Sequence, residues 1–466
     1  MKKKPTFLII FFIFFIFYFS CVKITGDIQR LSIYKKNPYY FTYKGKPILL
    51  LGGSDEDNLF NHPELMIKNL ETLKKIGGNY IRCTMSSRDS GNVWPFARKA
   101  NGKYDLNEFN PEYWFRFEKC LKEAQKRDII VQVEMWATFD FYRDNWEVNP
   151  FNPSNNVNYS EETTRLVSEW PYHPALKPQP FFFSVPSINN DTLLLQYQML
   201  FVDKLLSISF NYGNVLYCLD NETRAPAEWA WFWAEYIHQK ASQKGIKILL
   251  TEMWDAHDLH DEEHERTYRR PDLFAFFDIS QNNWQEGQKH YDNTLWIREI
   301  VKEYGGARPL TNVKVYHRRS GRRPNNPLIG LDRWWQNIWA GCASTRFHRP
   351  TGGTGLNELS QKAIHAARVF TNKFNIFACS PHPELLANRE ENEAYCLAQP
   401  GVVYALYFPK GGEVVLKLEN PDVDWKVRWF DPQKAEFLPA EKHSKEELLT
   451  LTAPDTLQTW LVLVEK

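Results

Sequence analysis

The 466-residue sequence has little of several features that mark whole classes of protein. Its net charge is only +1, which gives no overall field for binding nucleic acid. Its 7 cysteines include no CxxC pair, which argues against a zinc or redox motif. No glycine-rich phosphate loop follows the first strand-like run, where LGGSDEDN instead places carboxylates that would repel a pyrophosphate. We therefore predict no nucleic-acid partner and no cofactor.

The N-terminus is typical of an export signal. Lysines at positions 2–4 precede an apolar run over residues 7–19, which is shorter than the roughly 20 residues of a membrane span. The run ends at Cys21 in a stretch that resembles the lipobox of bacterial lipoproteins. We predict a signal peptide and lipobox over residues 1–21 and a linker over residues 22–34. The protein is then exported, either as an outer-membrane or cell-surface lipoprotein anchored through Cys21, or as a periplasmic or secreted protein.

Three of the remaining cysteines lie in apolar, strand-like runs. Cys83, Cys218 and Cys342 are predicted to be buried small hydrophobic residues rather than disulfide partners. A disulfide in an exported chain stays open as an alternative.

Strand-like and helix-like segments alternate between residues 35 and 390. The strand-like runs, such as KPILLLGG, DIIVQVEMW and NVLYCLD, are nearly continuous in apolar residues, as expected where both faces of a sheet are covered. Eight such units favour an α/β fold, a (β/α)8 TIM barrel. Residues 391–466 contain short alternating strands separated by Pro, Gly and Asn, which predict that a small all-β sandwich domain follows the barrel.

The ends of the predicted strands carry the candidate functional residues, because the active site of such a barrel lies at the C-terminal ends of its strands. Carboxylates, amides and indoles dominate there, a lining that suits a hydroxyl-rich ligand with apolar ring faces. The candidates, in strand order, are Glu134 and Trp136, then Asn221 and Glu222, then Glu252, Trp254, Asp255 and His257, then Asp278 and Asn282, and finally Lys314 and Tyr316.

The stretch NVLYCLDNETRAP ends a strand-like run in an amide between two carboxylates. One interpretation is capping of the helix that follows Pro226. Capping needs one acid or amide, whereas three polar residues close this strand. We therefore favour a catalytic role for Glu222, since glycosidic cleavage needs two carboxyl groups about the scissile bond.

A barrel whose fourth strand ends in Asn-Glu resembles the clan A glycoside hydrolases. The opening FTYKGKPILLLGG and the tail VRWFDP…LTAPDTLQTWLVLV are similar to apiosidase-like and cellulase-like bacterial members, which carry a C-terminal β-domain. The resemblance implies that Glu222 is the general acid/base and that Asn221 binds the 2-hydroxyl of the sugar. The clan places its nucleophilic Glu at the end of strand seven, where RPLTNVKVYH has Lys314.

A lysine ammonium cannot form the usual glycosyl-enzyme ester, and three explanations are open. The register of strand seven is misassigned, another carboxylate acts, or the protein binds sugar without cleaving it. Glu252 is the favoured partner of Glu222, ahead of Glu134 and Asp278. If one of them acts as a base on water, the mechanism is inverting, with carboxyl groups about 6.5–9.5 Å apart. Lys314 then pairs with a carboxylate or binds an anionic sugar substituent.

Several further residues are expected to contact the substrate. The predicted substrate-binding residues are Asn221, Glu134, Trp136, Trp254, His257, Asp278, Asn282, Lys314 and Tyr316. The aromatic-rich insertion over residues 137–190 is interpreted as a substrate wall, with a structural cover as the alternative. The basic stretch YHRRSGRRP, with Arg346, His348 and Arg349, is a solvated loop or a site for sulfate or uronate groups.

The sequence therefore predicts an exported glycoside hydrolase that acts on a plant or algal polysaccharide or oligosaccharide, and an anionic substrate stays open as an alternative. No metal site is predicted, because the histidines of DAHDLHDEEHE fit a solvated segment. The alternative is a non-catalytic carbohydrate-binding lipoprotein on the same barrel. The sugar, the linkage and the stereochemical outcome are not encoded in any motif of the sequence.

Overall fold

Eight parallel strands form one sheet in the computed structural model, which describes residues 28–317 and 326–466. The strands are β1 (Leu50–Gly53), β2 (Tyr80–Thr84), β3 (Ile130–Trp136), β4 (Val215–Asp220), β5 (Leu250–Thr251), β6 (Phe277–Asp278), β7 (Leu310–Val315) and β8 (Ser344–Phe347). Each strand pairs with the next in chain order except β5 with β6, and β8 pairs with β1. The Ala275 N–H donates to the Leu250 carbonyl at 2.9 Å beside that gap, so the sheet is a nearly closed barrel.

A helix follows each strand, which confirms the predicted (β/α)8 order. The helices are α1 (Pro63–Lys75), α2 (Pro111–Lys126), α3 (Thr192–Ser209), α4 (Ala227–Gln243), α5 (Glu265–Tyr268), α6 (Gly287–Glu303), α7 (Pro327–Trp339) and α8 (Glu358–Thr371). Proline occupies the first turn of α1, α2 and α7, where its fixed φ suits the helix and no N–H is needed. A short helix, Arg143–Glu147, lies within the long β3–α3 insertion.

Every residue of β3 and β4 is buried, as the continuous apolar runs predicted. Helices cover the outer face of these strands and side chains fill the barrel interior, so neither face meets water. The insertion adds an aromatic cluster outside β3, with Trp146 and Phe181 fully buried. Much of the unusual aromatic content is therefore core.

The C-terminal domain contains two antiparallel sheets, which confirms the predicted sandwich. The larger sheet holds Ser380–Pro381, Tyr395–Gln399, Val403–Phe408, Asp424–Asp431, Glu436–Phe437, Glu441–Ser444 and Trp460–Glu465. The smaller sheet holds Leu386–Ala387, Glu413–Lys417 and Leu448–Thr452. The first strand, Ser380–Pro381, lies before the predicted boundary at 391, because two residues that include a proline give no strand pattern.

The domain packs on helix α7. The Trp339 indole N–H donates to the Ala405 carbonyl at 2.9 Å, and the Tyr407 hydroxyl donates to the Asp332 carboxylate at 2.6 Å. Buried polar contacts of this kind fix the position of the β-domain against the barrel wall.

Two small sheets complete the described chain. An N-terminal meander joins Ser32–Ile33, Phe41–Tyr43 and Lys46–Ile48, and a hairpin joins Phe96–Arg98 and Tyr104–Phe109. Lys44 and Gly45 have φ values of 50° and 75°, the left-handed pair that a tight hairpin turn requires.

The predicted signal peptide and Cys21 lie outside the described residues. Among the helices of residues 28–317 and 326–466, none combines the length and the apolar character needed to cross a membrane. The cysteines in these ranges are free and buried, which confirms the prediction for Cys83, Cys218 and Cys342.

Candidate active site

A cavity of about 340 Å³ opens at the C-terminal ends of the barrel strands. Segments after β3, β4, β5, β6 and β7 contribute to its wall, so the cavity occupies the position where barrel enzymes bind their substrates. Its lining residues are Phe139, His173, Ala175, Glu222, Asp255, His257, Gln281, Asn283, Trp284 and Tyr316. Phe139, His173 and Ala175 come from the insertion, which therefore forms part of the cavity wall, and its role as a substrate wall stays a prediction.

Glu222 enters this cavity from the end of β4 with an ammonium group against it. Lys314 Nζ on β7 lies 2.6 Å from Glu222 Oε1, and the lysine side chain is only 2% exposed. Burial is the largest single influence on the pKa of Glu222 and raises it, but the charge and hydrogen bond of Lys314, together with Arg82 and Gln281, lower that pKa to about 2. Glu222 is therefore ionised at neutral pH.

The backbone of Glu222 is also unusual. Its φ is 58°, in the left-handed region that residues with a side chain rarely adopt. Such strain persists only where the surrounding structure imposes it, and it is frequent at functional sites.

Asp255 is a second carboxyl group in the cavity wall. A backbone bridge between Thr223 and Trp254 joins the segments that follow β4 and β5, and the Asp255 N–H donates to the Thr223 carbonyl at 3.0 Å. The bridge holds Asp255 beside the segment of Glu222. Burial, followed by the negative charge of Glu222, raises the pKa of Asp255 to about 7. The cavity thus combines an ionised carboxylate with a carboxyl group that titrates near neutrality.

Arg82 of β2 fixes the orientation of the Asn221 side chain. Arg82 Nη2 donates to Asn221 Oδ1 at 2.7 Å, and Arg82 Nε donates to Glu134 Oε1 at 2.7 Å. The other Glu134 oxygen accepts from the Thr84 hydroxyl at 2.8 Å. Glu134 is fully buried and outside the cavity lining, so the structure does not support its predicted contact with substrate. It positions Arg82, which in turn positions Asn221.

Glu252, the favoured partner in the sequence analysis, lies beneath the cavity. Its Oε1 accepts the N–H groups of Asp220 at 2.9 Å and Met253 at 2.7 Å. Burial, followed by the neighbouring Asp220, raises the pKa of Glu252 well above its ordinary value. Burial also raises the pKa of Asp220 to about 8. Because Glu252 turns back onto the backbone, the structure places Asp255 rather than Glu252 beside Glu222.

The two predicted substrate indoles, Trp136 and Trp254, are core residues. The Trp136 ring lies 5.0 Å from that of Phe201 and 5.3 Å from that of Phe181, centroid to centroid. The Trp254 indole N–H donates to the Thr267 hydroxyl at 2.8 Å. Both residues are buried and neither lines the cavity, so their predicted stacking on sugar is not supported.

Asp278 and Asn282 are also buried and outside the cavity lining, so their predicted contact with substrate is not supported. The Asp278 carboxylate accepts the Ser280 N–H at 2.8 Å, and the Asn282 amide donates to the His290 carbonyl at 2.8 Å. These bonds shape the turn after β6 and its junction with α6. That turn brings Gln281, Asn283 and Trp284 to the cavity instead.

His257 and Tyr316 line the cavity, where the sequence placed them. The His257 ring stacks on Trp284 with the centroids 3.7 Å apart, and burial lowers the pKa of His257 to about 4. The Tyr316 ring packs on His348 with the centroids 4.3 Å apart. Neutral aromatic surfaces of this kind suit the apolar face of a sugar ring.

The arginines after β8 are engaged by Asp57 rather than free for an anionic substrate. Asp57 Oδ1 lies 3.1 Å from Arg82 Nη1 and 3.4 Å from Arg346 Nη2, and Asp57 Oδ2 lies 3.4 Å from Arg349 Nε. Burial would raise the pKa of Asp57, but these cations and His348 hold it well below its ordinary value. The alternative that these residues bind sulfate or uronate groups is therefore not supported, and residues 318–325 of the basic loop lie outside the described chain.

Glu56, His62 and Asp89 form a group whose potential ligand atoms lie within 4.8 Å of one another. Arg349 Nη1 lies 3.4 Å from a carboxylate oxygen of both Glu56 and Asp89. The Arg349 guanidinium compensates the negative charge of these two carboxylates, so their proximity does not require a bound metal ion.

The sequence placed Asp255 and Gln281 at strand ends but gave them no role, and it did not indicate Asn283 or Trp284. In TEMWDAH, Glu252 directly follows β5, whereas Asp255 lies further along, where the chain has already turned outward. The dipeptide Asn283-Trp284 was visible in SQNNWQ, but β6 is only two residues long and its end was hard to locate.

Comparisons with known proteins agree with this architecture. A family model described as "Putative collagen-binding domain of a collagenase" matches residues 381–465. A solved structure described as "Glycoside hydrolase" has a TM-score of 0.65 and 11% identity over 94% of this chain and 97% of its own. A glycoside hydrolase family 5 protein from Bacteroides vulgatus ATCC 8482 has a TM-score of 0.65 and 10% identity over 94% of this chain and 93% of its own.

A family 5 mannosidase from Rhizomucor miehei covers 74% of this chain and 98% of its own, with a TM-score of 0.51 and 13% identity. Comparison with curated proteins finds no match by sequence. At these identities the similarity shows a shared fold: a TIM barrel of the kind found in family 5 glycoside hydrolases, with a C-terminal β-domain.

Proposed function

We propose that the protein is a glycoside hydrolase whose active site is the cavity at the C-terminal ends of the barrel strands. The observation that carries this proposal is the pair Glu222 and Asp255, two carboxyl groups that line one cavity and have their pKa values displaced in opposite directions. Hydrolysis of a glycosidic bond needs one protonated and one ionised carboxyl group, and such a pair supplies both at neutral pH. The shared fold with solved glycoside hydrolases supports the same conclusion.

The substrate that fits the remaining wall is a neutral plant or algal polysaccharide or oligosaccharide. Trp284 and Tyr316 present aromatic faces, and Gln281 and Asn283 present amides that pair with hydroxyl groups. The arginines of the mouth are already paired with Asp57, so we do not extend the proposal to sulfated or uronic sugars.

A second candidate function is carbohydrate binding without cleavage. The observation in its favour is Lys314, which occupies the β7 position where the clan A resemblance expects a nucleophile and pairs with Glu222. In this case the ion pair would be a neutral part of a sugar-binding wall.

A screen on defined plant and algal oligosaccharides separates the two functions. We expect the wild-type protein to release reducing ends and Glu222→Gln and Asp255→Asn to lose at least about 10²-fold in kcat/KM. Asp258→Asn is the matched control, because Asp258 is an exposed acid on the same segment as Asp255. Oligosaccharide binding by calorimetry with no turnover in any variant would establish the binding function instead.

Export and lipid anchoring through Cys21 are also part of the proposal. The test is labelling with a palmitate analogue in a Gram-negative bacterial host, with the wild type and Cys21→Ala. We expect the label only in the wild type. A label retained by Cys21→Ala, or absent from both, would contradict anchoring at this residue.

A further inference from the structure

We propose that Asp255 donates the proton and that Glu222 is the nucleophile, the reverse of the role that the clan A resemblance implies for Glu222. The inference rests on the proposed glycosidase function and adds the division of labour within the site. It would place the nucleophile after β4 and the proton donor after β5, with Lys314 on β7 as the group that keeps the nucleophile ionised.

The geometry around Glu222 carries the first half of the inference. A proton donor must hold a proton, yet Lys314 Nζ lies 2.6 Å from Glu222 Oε1 in a place where the lysine is 2% exposed. An ammonium group at this distance strongly favours the carboxylate form. A nucleophile needs the carboxylate form and must later leave the anomeric carbon, so a carboxylate stabilised by Lys314 suits both steps.

The surroundings of Asp255 carry the second half. Asp255 Oδ2 accepts from Arg224 Nε at 3.1 Å, while His257 Nε2 lies 3.8 Å from the other oxygen. Burial is the largest influence on the pKa of Asp255 and raises it. The charge of Glu222 raises it further, whereas Arg224 and Lys314 lower it. The resulting pKa of about 7 is the value expected of a group that gives up and takes back a proton near neutrality.

The first step forms a bond between a Glu222 oxygen and the anomeric carbon. The glycosidic C–O bond breaks, its electron pair stays on the leaving oxygen, and that oxygen takes the proton of Asp255. The products are a glycosyl ester on Glu222, the freed alcohol and an ionised Asp255.

The second step consumes water. Asp255 takes a proton from a water molecule as the water oxygen bonds to the anomeric carbon, and the ester bond to Glu222 breaks with its electron pair on the carboxylate. Lys314 stabilises the returning charge. The sum is hydrolysis with retention at the anomeric carbon, and both carboxyl groups regain their starting protonation states.

Dinitrophenyl glycosides test this assignment because their leaving group departs without a proton. The probes are the dinitrophenyl glycosides of glucose, galactose, mannose and xylose, compared with unactivated oligosaccharides of the same sugars. In Asp255→Asn we expect the initial burst of dinitrophenol to stay within about tenfold of the wild type, while kcat/KM on oligosaccharides falls about 10²–10⁴-fold. Glu222→Gln should lose both reactions, and mass spectrometry of Asp255→Asn should find the sugar ester on Glu222.

The pH profile gives a second readout that a purely structural role would not produce. In the wild type, kcat/KM on oligosaccharides should fall as the pH rises through about 7, because Asp255 loses its proton, whereas the burst with dinitrophenyl glycosides should not fall there. Lys314→Met should raise the pH at which the burst reaches half its maximum, because Glu222 then ionises only at higher pH.

Two outcomes would overturn the inference. A burst that survives in Glu222→Gln and is lost in Asp255→Asn would restore Glu222 as the proton donor. Inversion at the anomeric carbon in the wild type would remove the nucleophile altogether. Failure of the proposed function looks different, since the wild type would then turn over neither kind of substrate. Thermal unfolding of each variant, with Asp258→Asn as control, separates loss of chemistry from loss of fold.

Discussion

Two groups of carboxyl residues lie within the same barrel and differ in what surrounds them. Glu222 and Asp255 line the cavity and face cations from other strands, Lys314 of β7 and Arg224 after β4. Glu134, Asp220 and Glu252 lie beneath them, buried in the barrel and bonded to backbone N–H groups, an indole and Arg82. In the proposed function the upper group reacts with the substrate, whereas the lower group holds the strand ends in position.

The comparison shows that a strand-end carboxylate is not by itself a catalytic candidate. Asp220 and Glu222 are separated by one residue. Burial raises the pKa of Asp220 to about 8, whereas at Glu222 the effect of burial is exceeded by Lys314, Arg82 and Gln281 together, which lower the pKa to about 2. Substitutions in the lower group should therefore change stability first, and substitutions in the upper group should change activity first.

The largest effect on stability is expected for Glu134→Ala. The change removes the 2.7 Å partner of the buried Arg82 guanidinium and leaves it with Asp57, which it shares with Arg346 and Arg349, and breaking a buried ion pair costs about 3–5 kcal/mol of the free energy of unfolding. Urea unfolding measures this loss. Glu112→Ala is the control, because its partner Arg116 forms an exposed pair in α2 worth about 0.5 kcal/mol. Equal losses in the two variants would contradict the distinction between the groups.

A smaller effect is expected for Asp220→Asn, and it depends on pH. The folded protein raises the pKa of Asp220 to about 8 by burial, against about 3.9 in an unfolded chain. This contribution to stability is therefore complete below about pH 4 and is lost as the pH rises toward about 8. Asp220→Asn removes this pH-dependent contribution. Between about pH 4 and about pH 8, the free energy of unfolding of the variant should therefore rise relative to that of the wild type by at least about 1.4 kcal/mol, the equivalent of one pKa unit.

Unfolding of Asp220→Asn and the wild type at pH 5 and pH 8 makes the measurement, and Glu252 supplies the part of the pH dependence that remains in the variant. A constant difference between the two proteins at both pH values would show that Asp220 does not titrate with a raised pKa.

The smallest effect is expected for His257→Ala in the cavity wall. The stack on Trp284 and the contact with a sugar ring are together worth about 0.5–1.5 kcal/mol, so KM should rise about 2–12-fold. The free energy of unfolding should stay within about 0.5 kcal/mol because His257 is partly exposed. His260→Ala is a matched control, since His260 stacks on Trp296 at 3.8 Å outside the cavity. An equal rise in KM for both variants would remove His257 from the site.

The barrel and the β-domain were predictable because their patterns are long and redundant. Continuous apolar runs such as DIIVQVEMW identify covered strands wherever their exact ends lie. The site was less predictable because side-chain direction changes from one residue to the next along a strand. Glu252 turns toward the backbone and Asp255 toward the cavity, and the backbone bridge that decides this, from Thr223 to Trp254, leaves no mark in the sequence.

The tryptophans show the same limit of prediction from sequence. Trp136 ends a barrel strand as a sugar-stacking residue would, but the insertion supplies Phe181 as a neighbour from a distant part of the chain. Only the folded position of the insertion makes Trp136 core and brings Trp284 to the cavity.

The gap between β5 and β6 has a consequence for the way a substrate enters. Each of these strands has two residues, and the Ala275–Leu250 hydrogen bond joins their segments. Local opening costs least where backbone pairing is sparse. Asp255 follows one of these strands and Trp284 the other, so two adjacent parts of the cavity wall belong to the two edges of this gap. A small widening of the gap would move these parts of the cavity wall apart. Hydrogen exchange at the Ala275 amide would report how often the gap opens.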